Sequence, residues 1–229
     1  MKTQARRFLD SRSFLVLTGL LYLALAGLLL YILGARTKPE IEVMLTKLIP
    51  RVLWANFLLI AVGGVLCRRD IAGAFRGLFE KWNSPGVWLL LILVVGLILV
   101  SQVAPQIHRI YYDEDIYANM AQNIAYTNQA GMANYGTFEY GEYFVNWLLY
   151  NKDPAGWPFL MSLVFQLFGT DETFAFYLNN LLFAGGILIV FFIARMLAGG
   201  SPFPALLAAL IYALIPHNLI WANTISAEN

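Results

Sequence analysis

Three consecutive carboxylates, Asp113-Glu114-Asp115, stand directly after a membrane-length apolar run and lead into Ile116-Tyr117-Ala118. Removing one ionised carboxylate from water costs several kcal/mol, so three in a row must face water, a cation or a polar substrate. A carboxylate in such a place can orient or deprotonate a hydroxyl nucleophile, and a nearby ammonium can neutralise a departing phosphate. Lys152, the only lysine between residues 105 and 172, is the candidate for that second role. Glu228 is a further acidic residue that follows an apolar run. Each of these residues also has a plain structural reading. The acidic triplet suits the positive end of a helix, Lys152 can extend its ammonium to the membrane interface, and Glu228 can be an ordinary solvated carboxylate.

The elements that carry these residues are those of a membrane protein. Of the residues, 59% are apolar, 15% aromatic and only 13% charged; soluble domains carry roughly twice that charge. A net charge of +1 argues against a nucleic-acid partner, which requires a basic face. The single Cys67 has no partner for a disulfide and no ligand-spaced neighbour for a metal. A helix needs about 20 apolar residues to cross a hydrocarbon core of roughly 30 Å. Five stretches qualify, approximately 14–33, 48–66, 85–104, 173–194 and 203–222. The fold expected is all-α and polytopic, with about five spans and a long external loop containing interfacial helices.

Lys and Arg gather in short cytoplasmic loops. Lys2, Arg6, Arg7 and Arg12 precede the first run, Arg68, Arg69, Arg76 and Lys81 fill the 67–82 loop, and Arg195 closes the fourth run. This arrangement directs the third helix outward and sets Asp113 on the external face, against a counter-signal from Arg36, Lys38 and Lys47. The first run is too long for a cleaved signal segment and is read as a retained helix.

Residues 105–172 lack a full-length apolar run and are rich in Tyr, Asn, Trp and Gly. Within them the spacing predicts a helix over 115–129, capped by Asp115, with Ile116, Met120 and Ile124 on one face and Gly131 as the stop. Residues 156–168 form an apolar stretch too short to span. They are expected to lie along the outer leaflet with Trp157 and Phe159 in the headgroup zone. With that helix on the surface, Glu228 returns to the same side as Asp113. His108 and His217 read as packing residues near helix ends, and Gly73-x-x-x-Gly77 lies outside any apolar 20-mer.

Asp113-Glu114-x-x-Tyr117-Ala118, followed by Lys152-x-Pro154-x-Gly156 and Leu167-Phe168-Gly169, resembles the N-terminal part of the polytopic GT-C glycosyltransferases, in their aminoarabinose transferase and protein O-mannosyltransferase branch. The resemblance covers roughly residues 85–229 and separates them from an N-terminal hairpin and loop at 1–84. It implies transfer of a sugar from a polyprenyl-phosphate donor to a protein, lipid or glycan acceptor. The expected location is the outer face of a prokaryotic plasma membrane, among membrane lipids. By that resemblance Asp113 and Glu114 are catalytic, with Glu228 the second external acid. Lys152 meets the carrier phosphate, and Tyr117 and Asp115 complete the substrate side. A divalent cation serves some branches, but relatives carry Glu where Asn151 stands, and no metal ligand is assigned. GT-C enzymes have many more helices, so the chain is expected to be the front part of a longer protein. The alternative is a non-catalytic assembly or lipid-binding subunit with the same fold. Transport is disfavoured because the spans hold no ionisable residue near mid-membrane.

Overall fold

A computed structural model describes residues 12–79, 84–107, 113–133, 135–145 and 148–225. Lys2, Arg6, Arg7, Lys81, His108 and Glu228, all singled out above, lie outside the described residues. The chain divides into two compact units, 1–45 and 46–229. In the first unit, α1 (Arg12–Ala35) is a 24-residue apolar helix. It is followed by the start of α2 (Lys38–Leu66). Glu40 opens α2 by accepting from the Thr37 backbone N–H at 2.8 Å and from its hydroxyl at 3.0 Å, so a donor orphaned at the helix start is satisfied.

The second unit begins inside α2, and Pro50 dictates what happens there. Proline has no N–H to give to the carbonyl four residues back, which leaves the Thr46 carbonyl available. The Ala130 N–H donates to it at 2.8 Å, and Thr46 and Pro50 are both buried. Gly131 permits the approach, because a Cβ there would stand 2.9 Å from Leu148 Cβ and 3.0 Å from Thr46 Cγ2. Ile49, Leu53 and Trp54 then pack beneath Met120, Ile124 and Phe159.

After the short helix α3 (Arg68–Arg76), the chain turns into α4 (Pro85–Ile98) and continues as a π-helical turn, Leu99–Val103. The Gly86 N–H donates to the Leu78 carbonyl at 2.9 Å, closing that turn. Helix α4 packs against α7 (Glu172–Leu197) and α8 (Pro202–Leu214). Ala205, Ala209 and Ala213 make a buried stripe on α8, and Gly96 of α4 meets Phe183, Ile187 and Ala213. Small residues at these positions let the helix backbones come close.

A second proline ends α8. Ile215 before Pro216 is extended, as the residue preceding a proline prefers, and the chain bends by 61° into α9 (Pro216–Ala222). Pro216 cannot donate to the Tyr212 carbonyl, and Asn218 Nδ2 does so instead at 3.0 Å. By length and composition, three helical stretches among the described residues can cross a membrane: α2, α4 with its π turn, and α7. The bent α8–α9 pair is a fourth when taken as one span. The chain is therefore a mainly helical membrane protein.

The contacts sort the second unit into two ends. Helix α7 runs from Asn179, bonded to Trp221 and Thr224, to Phe192, stacked edge-on against Phe75 of α3. Helix α4 runs the opposite way, from Gly86 beside Leu78 to Ala104, whose carbonyl accepts from Asn223 Nδ2 at 2.9 Å. Arg68, Arg69, Arg76 and Arg195 collect at one end, with Asp70 among them. The acidic triplet, Asp153, Asp171 and Glu172 collect at the other, with Lys47 and Lys152.

At the acidic end, α5 (Asp113–Thr127) packs on α6 (Gly156–Phe168). Helix α5 starts two residues earlier than the spacing indicates, so Asp115 lies in its first turn and is not its cap. Its stop is Asn128, with φ of 54°, rather than Gly131, which pairs with Tyr150. Two short antiparallel pairs, β1 (Gly131–Met132) with β4 (Leu149–Tyr150) and β2 (Gly136–Glu139) with β3 (Glu142–Val145), interrupt the all-α pattern. The β2–β3 turn places Tyr140 and Gly141 at φ of 51° and 84°, the geometry of a two-residue hairpin turn. Helix α6 matches the expected 156–168, but Trp157 and Phe159 are buried in two core clusters, not in a headgroup zone. They face α5, α2 and the chain after α9, and this packing removes them from any lipid surface.

Candidate functional site

The first turn of α5 contains all three acids, where the positive end of the helix dipole favours negative charge. The turn separates them. Asp113 and Asp115 are exposed, whereas Glu114 is only 3% exposed. Glu114, Tyr117 and Ala121 follow three- and four-residue spacing and share a face. Tyr117 and Ala121 pack in one cluster with Trp157, Met161, Phe165 and Ile225. The inward face of the motif therefore looks toward the start of α6 and the chain that follows α9.

That meeting is held by hydrogen bonds between distant segments. Trp157 Nε1 donates to the Ile225 carbonyl at 2.7 Å. Asn179 Nδ2 donates to the Thr224 carbonyl at 2.8 Å and, more weakly, to that of Trp221 at 3.3 Å. Residues 221–225 are thus tied to both α6 and α7, directly ahead of the segment that contains Glu228, which lies outside the described residues. Ile225 and Tyr117 are brought together in that cluster.

Lys152 is exposed in the connection between β4 and α6. Its neighbours shape that connection: Asn151 Nδ2 donates to Asp153 Oδ2 at 2.9 Å, and the Asp153 N–H donates to Asn151 Oδ1 at 3.2 Å. Asn151, noted above as a departure, is therefore a turn-forming residue. Among the described residues Lys152 forms no ion pair. No three His, Cys, Asp or Glu side chains converge as metal ligands among the described residues. Asp113 and Asp115 are exposed while Glu114 turns inward, so this triplet does not converge on a shared cation.

A polar network on α5, not evident from apolar residue spacing, stands beside the acidic turn. Asn123 is fully buried; its Nδ2 donates to the Gly131 carbonyl at 2.8 Å and to Asn119 Oδ1 at 3.0 Å, while its Oδ1 accepts from the Tyr143 hydroxyl at 2.8 Å. Asn119 Oδ1 also accepts from the Ala133 N–H at 2.8 Å. The 131–145 hairpin is anchored to α5 through these bonds. The signal was present in the sequence as Asn119 and Asn123 one turn apart, and as Asn179 within an apolar helix.

Burial pushes the Tyr143 hydroxyl above its ordinary titration range. The neutral phenol is the form that donates to Asn123, so its contribution is complete below the unfolded value of about 10. It is lost as pH rises through the higher folded value. Tyr143→Phe is expected to cost about 1 kcal/mol and to loosen the hairpin, seen as faster amide exchange at 131–145 with α7 unaffected. Exchange that does not change would mean that the network is idle.

Fold and site together define a mainly helical membrane protein with a polar, acidic loop domain at one end. No family model matches the chain, and neither a curated protein nor a solved structure matches it.

Proposed function

We propose that the acidic end is the front half of a glycosyltransferase site, transferring a sugar from a polyprenyl-phosphate donor to an acceptor at the outer face of the plasma membrane. The observation that carries this reading is the convergence at one end of the start of α5, the loop preceding α6 and the segment following α9. The start of α5 and the loop preceding α6 carry polar residues of the GT-C-like pattern, and the Trp157–Ile225 bond ties the first turn of α6 to the segment following α9. In this reading α1 is a further span, α8–α9 counts as one, the total is five, and residues 105–172 are the external loop. The basic end then lies in the cytoplasm, as the Lys and Arg distribution favours.

The chemistry assigns each residue a task. The Asp113 carboxylate, exposed at the helix start, accepts the proton of the acceptor hydroxyl as its oxygen bonds to the sugar's anomeric carbon. The bond from that carbon to the carrier phosphate breaks, and the Lys152 ammonium meets the negative charge left on the phosphate. Glu114, on the inward face with Tyr117, orients the polar acceptor, while Asp115 holds water and substrate hydroxyls at the rim. Glu228 supplies a second carboxylate from the far segment.

Membranes containing the native gene product, supplied with a labelled polyprenyl-phosphate sugar, test the reading directly. Lys152→Ala is expected to raise the KM for the donor by about tenfold or more, while the KM for the acceptor changes little. Equal effects on both substrates would remove Lys152 from the phosphate. Absence of transfer by the native protein across a panel of such donors would favour the non-catalytic, lipid-binding alternative.

A further inference from the structure

At the basic end, a cavity of about 360 Å³ opens between α3 and the last turn of α7. Gly73, Ala74 and Gly77 form one wall, and Phe192, Arg195 and Gly200 the other. We infer that this cavity seats the phosphate headgroup of an anionic phospholipid of the adjacent leaflet.

Arg195 is the cation inside the cavity. Among the described residues its Nε donates to the Gly200 carbonyl at 3.5 Å, and a guanidinium has five N–H donors. Among the described residues no carboxylate pairs with it. The helix end that it occupies would by itself repel an anion, because the C-terminus is the negative pole of the dipole. Here the last carbonyls are already served: the Gly200 N–H donates to Arg195 at 2.8 Å and the Gly199 N–H to Met196 at 3.3 Å. Both glycines adopt the positive φ that this cap requires, 63° and 91°. The guanidinium charge therefore outweighs the residual dipole. Arg68, Arg69 and Arg76, all exposed on α3, raise the local positive potential, with Asp70 the opposing charge on that helix.

The surroundings choose a lipid over a free anion. Leu66, Ile71, Phe75, Phe79, Met196, Leu197 and Phe203 are all exposed about the same end of the molecule. Apolar residues exposed around a cationic cavity match the boundary between headgroups and acyl chains; a site for soluble phosphate has no use for them. Helix α3 is held firmly enough to form a wall. Leu78, just beyond it, is fully buried in the main core, and Phe75 packs edge-on against Phe192 at 5.3 Å.

The test is lipid retention by the full chain, purified in detergent and read by native mass spectrometry after addition of phosphatidylglycerol or phosphatidylcholine. The expected result is one retained phosphatidylglycerol and no comparable phosphatidylcholine. Arg195→Ala should weaken retention about tenfold, the loss of a charge-assisted contact. Gly73→Leu is the second variant. A Cβ at Gly73 meets nothing within 4 Å, so the new side chain projects into the open space at the cavity wall without a clash and leaves every arginine in place. It should lower retention as strongly as Arg195→Ala, and it decides the matter if Arg195→Ala does not fold. Retention undiminished in Gly73→Leu would mean diffuse attraction to the arginines of α3 and would overturn the site. Equal retention of both lipids would do the same, as would displacement of phosphatidylglycerol by excess inorganic phosphate.

Discussion

Under the proposed transfer reading, Asp113→Asn is expected to lower sugar transfer by about 10²–10⁴-fold, the usual worth of a general base, while the protein reaches the membrane at its normal level. Asparagine retains the size and hydrogen-bonding reach of aspartate but cannot take a proton. Asp113 is exposed in the first turn of α5, so the substitution leaves no cavity and breaks no core contact. Its cost to folding is confined to the loss of one favourable charge at the helix start, a few tenths of a kcal/mol. Transfer and stability should therefore separate cleanly. A variant that turns over like the native protein would remove Asp113 from the chemistry and shift attention to Glu114, the acid that faces the protein. Glu114→Gln, in contrast, is expected to disturb both properties, because its side chain is packed at 3% exposure.

The largest structural effect is expected at Trp157. Its ring lies in the cluster that joins α5, α6, α7 and Ile225, and its indole N–H holds the Ile225 carbonyl. Trp157→Ala removes both and is expected to cost about 3–5 kcal/mol. Trp157→Phe retains most of the packing and loses the bond. It should cost about 1–3 kcal/mol, the penalty for a buried carbonyl left without its donor. Thermal unfolding of the purified protein in detergent, together with protease sensitivity after residue 215, checks the pair. The expected order is native, then Phe, then Ala, with the chain beyond α8 becoming cleavable in step. Identical melting for all three would mean that the joint at Ile225 carries no load. If the transfer reading holds as well, Trp157→Phe should slow transfer without changing the pH dependence, since the indole positions a segment and exchanges no proton.

Much of the helical framework can be read directly from residue order. The apolar runs at 85–104 and 173–194 correspond to α4 and α7 within a few residues, because a stretch that long and apolar has few other stable forms in lipid. Helix α6 matches 156–168 because Gly156 and Gly169 bracket a short apolar stretch. The acidic triplet is found at a helix start, as charge and dipole require. Legibility fails where side chains leave the helical period. The β2–β3 hairpin turns on Tyr140-Gly141, not on the Asn-Gly or Asp-Gly pairs that usually signal such turns, and its strands are only four residues each.

By itself the sequence determined that this chain has helices of membrane-spanning character, that α4, α6 and α7 begin and end to within about a turn of the apolar runs, and that the carboxylate triplet and the arginine cluster fall in different connections. These are local matters of hydropathy, charge and backbone preference. Only the tertiary structure decided which of three adjacent acids is buried and why two prolines are tolerated in apolar helices. It also gave Trp157 and Asn179 their roles as joints rather than as lipid-facing or polar anomalies. The joints depend on partners far along the chain: 68 residues separate Trp157 from Ile225 and 45 separate Asn179 from Thr224, just as 119 separate Asn223 from Ala104. A hydrogen-bond donor in a low-dielectric interior must find its acceptor wherever the fold brings one, and a local pattern contains no record of that meeting.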